Sequence, residues 1–251
     1  MSLYYDHAGI QIYLGDCREI LPSLPKCDML LTDPPYSVSV SGSVHHGPPG
    51  KGSRNLDFFA GDDDWASMTS LVSDRISLAQ ENLNETGSAY IWCGHRQFGN
   101  LLSIFEERGY STRFLVWAKK CPPPAPPNSG WSSGAELCIY AYKPGRTWNG
   151  KWQTNNVLTY DSYRYGQPGK VDHPTQKPID LFQKLIAISS ADNSLILDPF
   201  MGSGTTLVAA KNLGRKAIGI EREEKYCEIA AKRLSQEAFD FTSVSADEKV
   251  S

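Results

Sequence analysis

The chain has 251 residues, of which 40% are hydrophobic and 21% are charged, so it is long enough to bury a sizeable core and has an ordinary globular composition. Its formal net charge of −3 argues against a protein coated with basic surface, but it leaves room for a local basic groove that binds nucleic acid. The sequence lacks a run of about 18 apolar residues and a secretion-type N-terminus, so we expect no membrane span and no export.

Apolar runs alternate with amphipathic stretches along the chain, a pattern typical of βαβ units and a mainly parallel sheet. The pattern predicts strands at Ile10–Leu14, Asp28–Thr32, Ser88–Cys93, Thr112–Ala118, Glu136–Tyr142, Ser194–Leu197 and Lys216–Ile220. It predicts helices at Trp65–Leu83, Arg96–Arg108, Pro178–Ser190, Thr205–Leu213 and Glu224–Gln236. Because no helix separates the fourth and fifth strands, we expect them to form an antiparallel hairpin at one edge of the sheet.

Two segments and the C-terminal tail do not fit this alternation. Residues 37–55 are rich in Gly, Ser and Pro, which predicts a mobile loop. Residues 148–171 are too polar for a core and too aromatic for a plain linker, so they form either an insert with a binding role or the core of a small subdomain. Residues 237–251 offer little to pack and should fray.

The six cysteines are scattered without a C-x-x-C pair, and the five histidines share no ligand spacing with them. This pattern indicates reduced thiols in a reducing cytoplasm, several of them in the core, and no metal site.

The first candidate functional motif is Asp33-Pro34-Pro35-Tyr36, directly after a predicted strand. The two prolines fix φ and remove two N–H donors, which leaves a rigid row of carbonyl acceptors beside a carboxylate and a flat ring. A rigid turn would be the plain structural interpretation. Acceptors without donors next to an aromatic ring also suit a planar ligand that carries an NH₂ group.

The second candidate motif is SLILDPFMGSGTT, in which a strand ends at Asp198, a turn carries Gly202 and Gly204, and a helix begins near Thr205. Glycines at such a turn let a ligand approach the backbone, and the helix N-terminus offers free N–H groups. No Lys follows the second glycine, so the turn is not a P-loop. The next strand ends before Glu221, where an acid that binds ribose hydroxyls belongs, so the motif predicts a nucleoside pocket.

Three motifs together resemble a known family. DPPY at Asp33–Tyr36, HPTQKP at His173–Pro178 and DPFMGSGTT at Asp198–Thr206 resemble, in this order, the β group of S-adenosylmethionine-dependent DNA amino-methyltransferases. The resemblance implies an α/β fold with a single Rossmann-like methyltransferase domain at residues 1–236, helices on both faces of the sheet, and S-adenosyl-L-methionine as cofactor. It also makes residues 37–55 a DNA or active-site loop and residues 148–171 a candidate target-recognition insert.

The resemblance implies a role for each motif in cofactor binding. Glu221 would bind the ribose hydroxyls, Asp16 would accept from the adenine amino group, and Lys177, at the cap of a helix starting with Pro178, would bind the methionine carboxylate. Asp198 and the glycine loop would border the amino-acid end and the sulfonium. The implied cofactor-binding residues are Asp16, Cys17, Asp33, His173, Thr175, Gln176, Lys177, Asp198, Pro199, Phe200, Gly202, Ser203, Gly204, Thr205 and Glu221.

The implied catalytic residues are Asp33, Pro34, Pro35 and Tyr36. The Asp33 carboxylate and the Pro34 carbonyl would accept hydrogens from the exocyclic amine of a flipped base, and Tyr36 would stack on that base. DNA is the implied partner, and a homodimer or a restriction endonuclease partner is left open. The candidate DNA-binding residues are Lys51, Arg54, Lys119, Lys151, Arg164 and Lys170. The expected location is the cytoplasm of a prokaryotic or phage-infected cell, on the nucleoid when bound to DNA.

The alternatives differ in what the sequence should contain. N6 of adenine is the preferred target, because DPPY occurs for both products while S-P-P-Y leans to cytosine; N4 of cytosine is the alternative. An NAD-dependent oxidoreductase would carry its glycine loop early in the chain, and a non-catalytic nucleic-acid-binding module would carry a degraded DPPY. RNA or protein amide methyltransferases usually have N-P-P-Y after the glycine loop.

Overall fold

The computed structural model describes residues 2–36, 65–122, 130–151, 154–163, 170–171 and 176–235. Within these residues, nine strands form one sheet in the order β1-β2-β9-β8-β3-β4-β6-β5-β7. The strands are β1 (Ser2–His7), β2 (Ile10–Leu14), β3 (Cys27–Thr32), β4 (Leu83–Cys93), β5 (Ser111–Lys119), β6 (Ala135–Tyr142), β7 (Val157–Tyr160), β8 (Leu195–Asp198) and β9 (Lys216–Glu221). The helices are α1 (Cys17–Ile20), α2 (Trp65–Glu81), α3 (Phe98–Glu106), α4 (Ile179–Ser189), α5 (Thr205–Asn212) and α6 (Glu224–Ser235).

All the predicted strands and helices are present, most of them with ends shifted by one or two residues. The largest difference is β4, which begins at Leu83 instead of Ser88 and takes the end of the predicted α2. The sequence did not predict β1, β7 or the single turn of α1. Short strands at the edge of a sheet depend on pairing with a neighbour, so their own residues give a weak signal.

The sheet is parallel through its centre, from β2 to β4, as predicted. β5 and β6 form the predicted antiparallel hairpin, and β6 pairs antiparallel with β4. The hairpin is not the edge of the sheet, however, because β7 pairs parallel with β5 beyond it. β7 lies within the predicted insert at residues 148–171, so part of that insert belongs to the sheet.

Helices cover both faces of the sheet, as predicted, and each face has its own apolar core. α4, α5 and α6 pack on one face through residues such as Phe182 and Leu207, while α1, α2 and α3 pack on the other through residues such as Ile76 and Phe105. Along β3 and β4 the side chains alternate between the two cores, which is the expected pattern for central strands buried on both faces. Five of the six cysteines are buried and Cys121 is exposed, all as free thiols.

The predicted insert at residues 148–171 begins at the end of the sheet opposite to Asp33, where the parallel central strands start. β6 runs antiparallel to β4, so its last residue, Tyr142, lies at that end of the strands. The Asn149 amide then donates to the carbonyls of Ala187 and Ser190 at 2.9 Å each, where it caps the C-terminal end of α4. The chain returns to the Asp33 edge through β7.

The predictions for residues 37–55 and 237–251 fall on residues outside those that the structure describes. Among the described residues, no helix combines the length and the apolar character needed to cross a bilayer.

Candidate active site

The predicted site lies at the edge of the sheet where the strand order changes direction. β3 and β8 are parallel neighbours, but the chain continues from β3 towards β4 and from β8 towards β9. In open α/β sheets, such a reversal leaves a crevice beyond the carboxyl ends of the strands. Asp33 follows β3 and the glycine loop follows β8, so the structure brings the two sequence motifs to one crevice.

The Asp33 carboxylate is held by two donors from different parts of the chain. The Tyr36 hydroxyl donates to Oδ1 at 2.7 Å, and the Lys177 ammonium donates to Oδ2 at 2.5 Å. Burial raises the pKa of Asp33, and the positive charge of Lys177 opposes this rise. Asp33 is therefore an oriented carboxylate that is more basic than an exposed aspartate, which suits the acceptance of an amine hydrogen.

The two prolines of the motif present their carbonyl groups differently. The Pro35 carbonyl accepts from Nε2 of Gln97 at 3.0 Å, which ties the motif to the start of α3. Gln97 is buried and was not predicted as a site residue. Among the residues that the structure describes, no hydrogen bond to the Pro34 carbonyl is found, so this carbonyl is an acceptor beside Asp33.

Four side chains form a row in which positive and negative charges alternate. We call this row the charge cluster, and its members in order are Asp33, Lys177, Glu136 and Lys119. Lys177 Nζ lies 3.0 Å from Oε2 of Glu136, and Lys119 Nζ lies 2.8 Å from Oε1 of the same residue. Burial alone would lower the pKa of Lys177, but the two carboxylates raise it. Burial alone would raise the pKa of Glu136, but the two ammonium groups lower it. The opposite charges compensate each other in a place where a single charge would be unfavourable.

Tyr36 joins the charge cluster through its hydroxyl, which lies 3.2 Å from Lys177 Nζ and 3.3 Å from Glu136 Oε2. Burial and the carboxylates of Asp33 and Glu136 raise the pKa of Tyr36 well above its usual value, so the phenol keeps its proton. It can therefore act as a hydrogen-bond donor to Asp33. Stacking of the Tyr36 ring on a target base stays a prediction.

The segment before α4 differs from the expectation. Pro178 is the N-cap residue of α4 and not its first helical residue, and Lys177 precedes it. The Lys177 side chain is only 4% exposed and points to Asp33 and Glu136. The N-terminal end of a helix carries a positive partial charge that repels an ammonium group, whereas Asp33 and Glu136 each attract it with a full negative charge. A methionine carboxylate would have to compete with both.

The other predicted residues of this motif are described only in part. Gln176 is buried, and its Oε1 accepts from the backbone N–H of Val171 at 2.9 Å, so it holds the chain that precedes the motif. His173 and Thr175 lie outside the described residues.

Asp198 is buried beneath the crevice and is 3% exposed. It accepts from the hydroxyls of Thr32 and Thr206 at 2.6 and 2.5 Å and from the backbone N–H of Phe200 at 3.1 Å. Burial raises its pKa to about 6. Asp198 therefore links the end of β3 to the start of α5 and fixes the two motifs relative to each other. Its expected place beside the amino-acid end of the cofactor stays a prediction. Thr206 lies in the predicted motif but had no predicted role, and Thr32 was not predicted as a site residue because a hydroxyl at the end of an apolar strand carries no motif.

The glycine loop needs its glycines for two different reasons. Gly204 has φ +80° at the N-cap of α5, and a Cβ there would lie 2.7 Å from Cβ of Ala230 on α6. Gly202, with φ +53°, donates its backbone N–H to Glu221. The loop residues Pro199, Ser203 and Thr205 are buried, and Phe200 is half-buried against the core.

Glu221 stands at the carboxyl end of β9, beside the glycine loop, as predicted. Its Oε2 accepts from Gly202 at 2.9 Å, and its Oε1 accepts from the backbone N–H of Glu223 at 2.9 Å. Burial raises the pKa of Glu221. An ionised carboxylate has about four acceptor positions, so each oxygen can accept a further hydrogen bond, for example from a hydroxyl group.

Asp16 lies at the same edge, because β2 pairs parallel with β9 and Gly15 donates to the Glu221 carbonyl at 2.9 Å. Asp16 is the N-cap of α1, where it accepts from the backbone and the guanidinium of Arg18. The hydrogen bond from Arg18 lowers the pKa of Asp16 to about 2. Cys17 is buried, which raises its pKa to about 11, so its thiol is neutral and can offer only packing.

The candidate DNA-binding residues do not form one surface among the described residues. Lys119 is 11% exposed and belongs to the charge cluster. Lys151 lies near the C-terminal end of α4, two residues after Asn149, so its position does not support a DNA contact near Asp33. Lys170 is half-buried, while Lys51, Arg54 and Arg164 lie outside the described residues.

Glu136 is the most important site residue that the sequence analysis missed. Glu136 was predicted to begin a strand, and no functional role was predicted for it. A signal was present, since an acid that begins an apolar strand must find partners when that end of the strand is buried. The sequence could not name those partners, because Lys119 and Lys177 come from other elements.

The comparisons with known proteins agree with this geometry. The family model N6_N4_Mtase, described as DNA methylase, matches residues 27–232. The Type II methyltransferase M.HinfI of Haemophilus influenzae is 30% identical over 90% of this chain and 68% of its own length. The Type II methyltransferase M2.DpnII of Streptococcus pneumoniae is also 30% identical, over 93% of this chain and 92% of its own length.

Solved structures give the same result. The crystal structure of the M1.HpyAVI–SAM complex matches with a TM-score of 0.69 and 29% identity, over 90% of this chain and 100% of that one. The cytosine-N4-specific PvuII DNA methyltransferase shares the fold, with a TM-score of 0.72 at 17% identity over 94% of this chain and 89% of that one. The chain therefore belongs to the DNA methylase family of N6 and N4 amino-methyltransferases, and it is a DNA methyltransferase that uses S-adenosyl-L-methionine.

Proposed function

We propose that this enzyme methylates N6 of adenine in DNA, with Asp33 and Pro34 as the acceptors that hold the target amine. The observation that carries the proposal is the position of Asp33, an oriented and half-buried carboxylate at the crevice shared with the glycine loop. A base inside a duplex cannot reach such a crevice, so the target base must flip out of the stack.

The described residues fit the cofactor that the family uses. Gly202 and Gly204 leave backbone without side chains beside the crevice, and Glu221 places a carboxylate next to them. When bound, S-adenosyl-L-methionine supplies an electrophilic methyl group on a sulfonium sulfur. We assign Glu221 to the ribose hydroxyls and the glycine loop to the remainder of the cofactor. Asp16 is assigned to the adenine amino group, although it must then share its oxygens with Arg18.

The chemical role of Asp33 follows from its environment. The amine of a nucleobase is a poor nucleophile because its lone pair is delocalised into the ring. Hydrogen bonds from its two hydrogens to the Asp33 carboxylate and the Pro34 carbonyl favour a pyramidal nitrogen and direct the lone pair to the methyl carbon. As the nitrogen forms its bond to the methyl carbon, the bond from that carbon to the sulfonium sulfur would break and the sulfur would leave as a neutral thioether. The nitrogen loses one proton, and Asp33 accepts that proton. A carboxylate whose pKa burial has raised is better suited to this acceptance than an exposed one.

Adenine is preferred over cytosine because the first residue of the motif is Asp33, and cytosine-N4 enzymes lean to serine there. Labelled-methyl transfer from S-adenosyl-L-methionine to unmethylated DNA, followed by analysis of the nucleosides, tests the choice. We expect N6-methyladenine, and N4-methylcytosine as the sole product would overturn the preference.

The contacts with DNA outside the crevice are also proposals. Lys51 and Arg54 are proposed to bind the phosphate backbone, so their replacement should lower DNA affinity and flatten its dependence on salt. An unaltered salt slope would remove them from the interface. A target-recognition role for residues 148–171, a homodimer and a restriction endonuclease partner stay predictions.

A further inference from the structure

We propose that Glu136 is a positioning residue, which serves as the alternative acceptor for both groups that hold Asp33. The inference rests on the proposed role of Asp33 as the acceptor for the target amine. Glu136 belongs to none of the sequence motifs. It is the second residue of β6, and the pairing of Leu137 with Cys93 at the end of β4 places it at the crevice edge of the sheet.

Both oxygens of Asp33 are already occupied. Oδ1 accepts from the Tyr36 hydroxyl, and Oδ2 accepts from the Lys177 ammonium. An incoming amine must therefore share these oxygens or displace one of the two donors. A displaced ammonium without another acceptor would be left buried and unpaired, which is strongly unfavourable.

Glu136 provides that other acceptor for each donor. Its Oε2 lies 3.0 Å from Lys177 Nζ and 3.3 Å from the Tyr36 hydroxyl, so both groups that bind Asp33 also reach Glu136. Either donor can shift its hydrogen bond from Asp33 to Glu136 without leaving the charge cluster. Glu136 thus permits the amine to enter while Lys177 and Tyr36 stay in place.

Lys119 keeps Glu136 in position for this exchange. Its ammonium lies 2.8 Å from Oε1, whereas the two donors of Asp33 contact Oε2. The side chains of Lys119 and Glu136 are 11% and 19% exposed, so water competes little with their pairing. One oxygen of Glu136 is therefore anchored, and the other is shared by the donors of Asp33.

Glu136 also acts on the pKa of Asp33 through its charge, and a residue that only packs against Asp33 would not have this effect. The titratable and charged groups that act on Asp33 from the surrounding elements are Tyr36, Lys177, Glu136, Cys93, Cys138 and Asp198. Burial raises the pKa of both thiols, so they are neutral. Lys177 favours the ionised form of Asp33, while Glu136 disfavours it.

The test uses the full chain and compares E136Q, K177M and the control E228Q, which removes a glutamate charge from an exposed ion pair with Lys232. Labelled-methyl transfer to unmethylated plasmid DNA gives kcat as a function of pH, and calorimetry gives cofactor affinity. E136Q should lower kcat by about 100-fold, as expected for misplaced reacting groups, with unchanged cofactor affinity. The acidic limb of its kcat profile should move to lower pH, that of K177M to higher pH, and E228Q should behave like the wild type.

A double variant, K119M with E136Q, tests whether the low kcat of E136Q comes only from the charge of Lys119, which loses its partner in E136Q. E136Q leaves Lys119 without a charged partner, whereas the double variant removes both charges. Under the proposal, the double variant keeps the low kcat and the shifted acidic limb. Recovery of the wild-type kcat would overturn the proposal, because it would trace the defect to an unpaired Lys119. Thermal melting of each variant measures the change in stability separately.

The outcomes separate this inference from the proposed function. If D33A is inactive while E136Q keeps the wild-type kcat and acidic limb, only the role of Glu136 is overturned. If D33A retains turnover, the role of Asp33 fails, and the role of Glu136 fails with it. A methylated cytosine product would overturn the adenine preference and leave the role of Glu136 standing.

Discussion

The two sides of the crevice are built from different kinds of groups. On the side of β8 and β9, the glycine loop is held by hydroxyls and backbone N–H groups that converge on two carboxylates, Asp198 and Glu221. On the side of β5 and β6, Asp33 is held by side chains of alternating charge, with Lys177 in the centre. Under the proposed function, the first side fixes the backbone that holds the cofactor. The second side would offer exchangeable donors where the target base enters and leaves.

The largest expected effect comes from Asp33, the member of the charge cluster that is proposed to hold the target amine. D33A should lower kcat by about 10⁴-fold, because it removes the acceptor of the amine hydrogen and of the departing proton. Cofactor affinity, measured by calorimetry, should change little, since the glycine loop lies on the other side of the crevice. D33N is the matched control, because it keeps the shape and one acceptor but not the charge. Substantial turnover by D33A would contradict the assignment.

The next effect tests whether the charge cluster is one unit of stability. K177M leaves the carboxylates of Asp33 and Glu136 buried without their shared cation, so the free energy of unfolding should fall by about 3–5 kcal/mol at neutral pH. The loss should shrink as the pH falls, because both carboxylates then bind protons and lose their charge. Urea unfolding measures it.

The control for K177M is K232M, whose partner Glu228 is exposed on α6. Exposed ion pairs contribute about 0–1 kcal/mol, so K232M should be nearly neutral. Equal losses in the two variants would show that the charge cluster has no special role in stability.

The two sides of the crevice also differ in how much of each could be predicted from the sequence. The glycine-loop side is contiguous: Asp198, Gly202 and Gly204 lie within seven residues, and Glu221 ends the next strand. The spacing within one βαβ unit fixes their positions in space, so the place of Glu221 beside the glycine loop was predictable. The role of Asp198 was not, because its acceptors are used by Thr32 and Thr206 inside the protein.

The charge cluster is not contiguous, and its partners could not be read from the sequence. Lys119, Glu136 and Lys177 come from β5, β6 and the segment before α4, and only the pairing of these elements brings them to Asp33. Lys177 was predicted to lie at a helix start and to bind the methionine carboxylate, since a local pattern shows a helix start but not a distant carboxylate. β7 was missed for the same reason, because its four residues form a strand only by pairing with β5.

A smaller effect concerns Asp198, the buried carboxylate of the glycine-loop side, which has no ammonium group among its hydrogen-bond partners in the described residues. Burial gives Asp198 a pKa of about 6 in the folded protein, against about 3.9 for an exposed aspartate. The folded state therefore binds its proton more tightly than the unfolded state, and this group's contribution to stability is lost as the pH rises from about 4 to about 6. D198N cannot titrate, so the stability difference between wild type and D198N should change by about 3 kcal/mol over that window, in favour of D198N at the higher pH.

Urea unfolding of both proteins across the pH range measures this change. The hydrogen bonds that asparagine cannot replace shift the whole D198N curve, but they do not alter its slope with pH. A constant difference at every pH would contradict the raised pKa of Asp198.

The smallest effect concerns cofactor binding at the edge of the glycine loop. E221A removes the acceptor proposed for the ribose hydroxyls and leaves the N–H of Gly202 without its partner. A hydrogen bond to a charged group contributes about 1.5–3 kcal/mol, so cofactor affinity measured by calorimetry should fall by about 10- to 100-fold. E221Q retains one acceptor oxygen and should lose less. Because the charge cluster is untouched, kcat at saturating cofactor should change far less than the affinity. An unchanged affinity in E221A would remove Glu221 from the ribose site and leave the glycine-loop side without the acid that its spacing predicts.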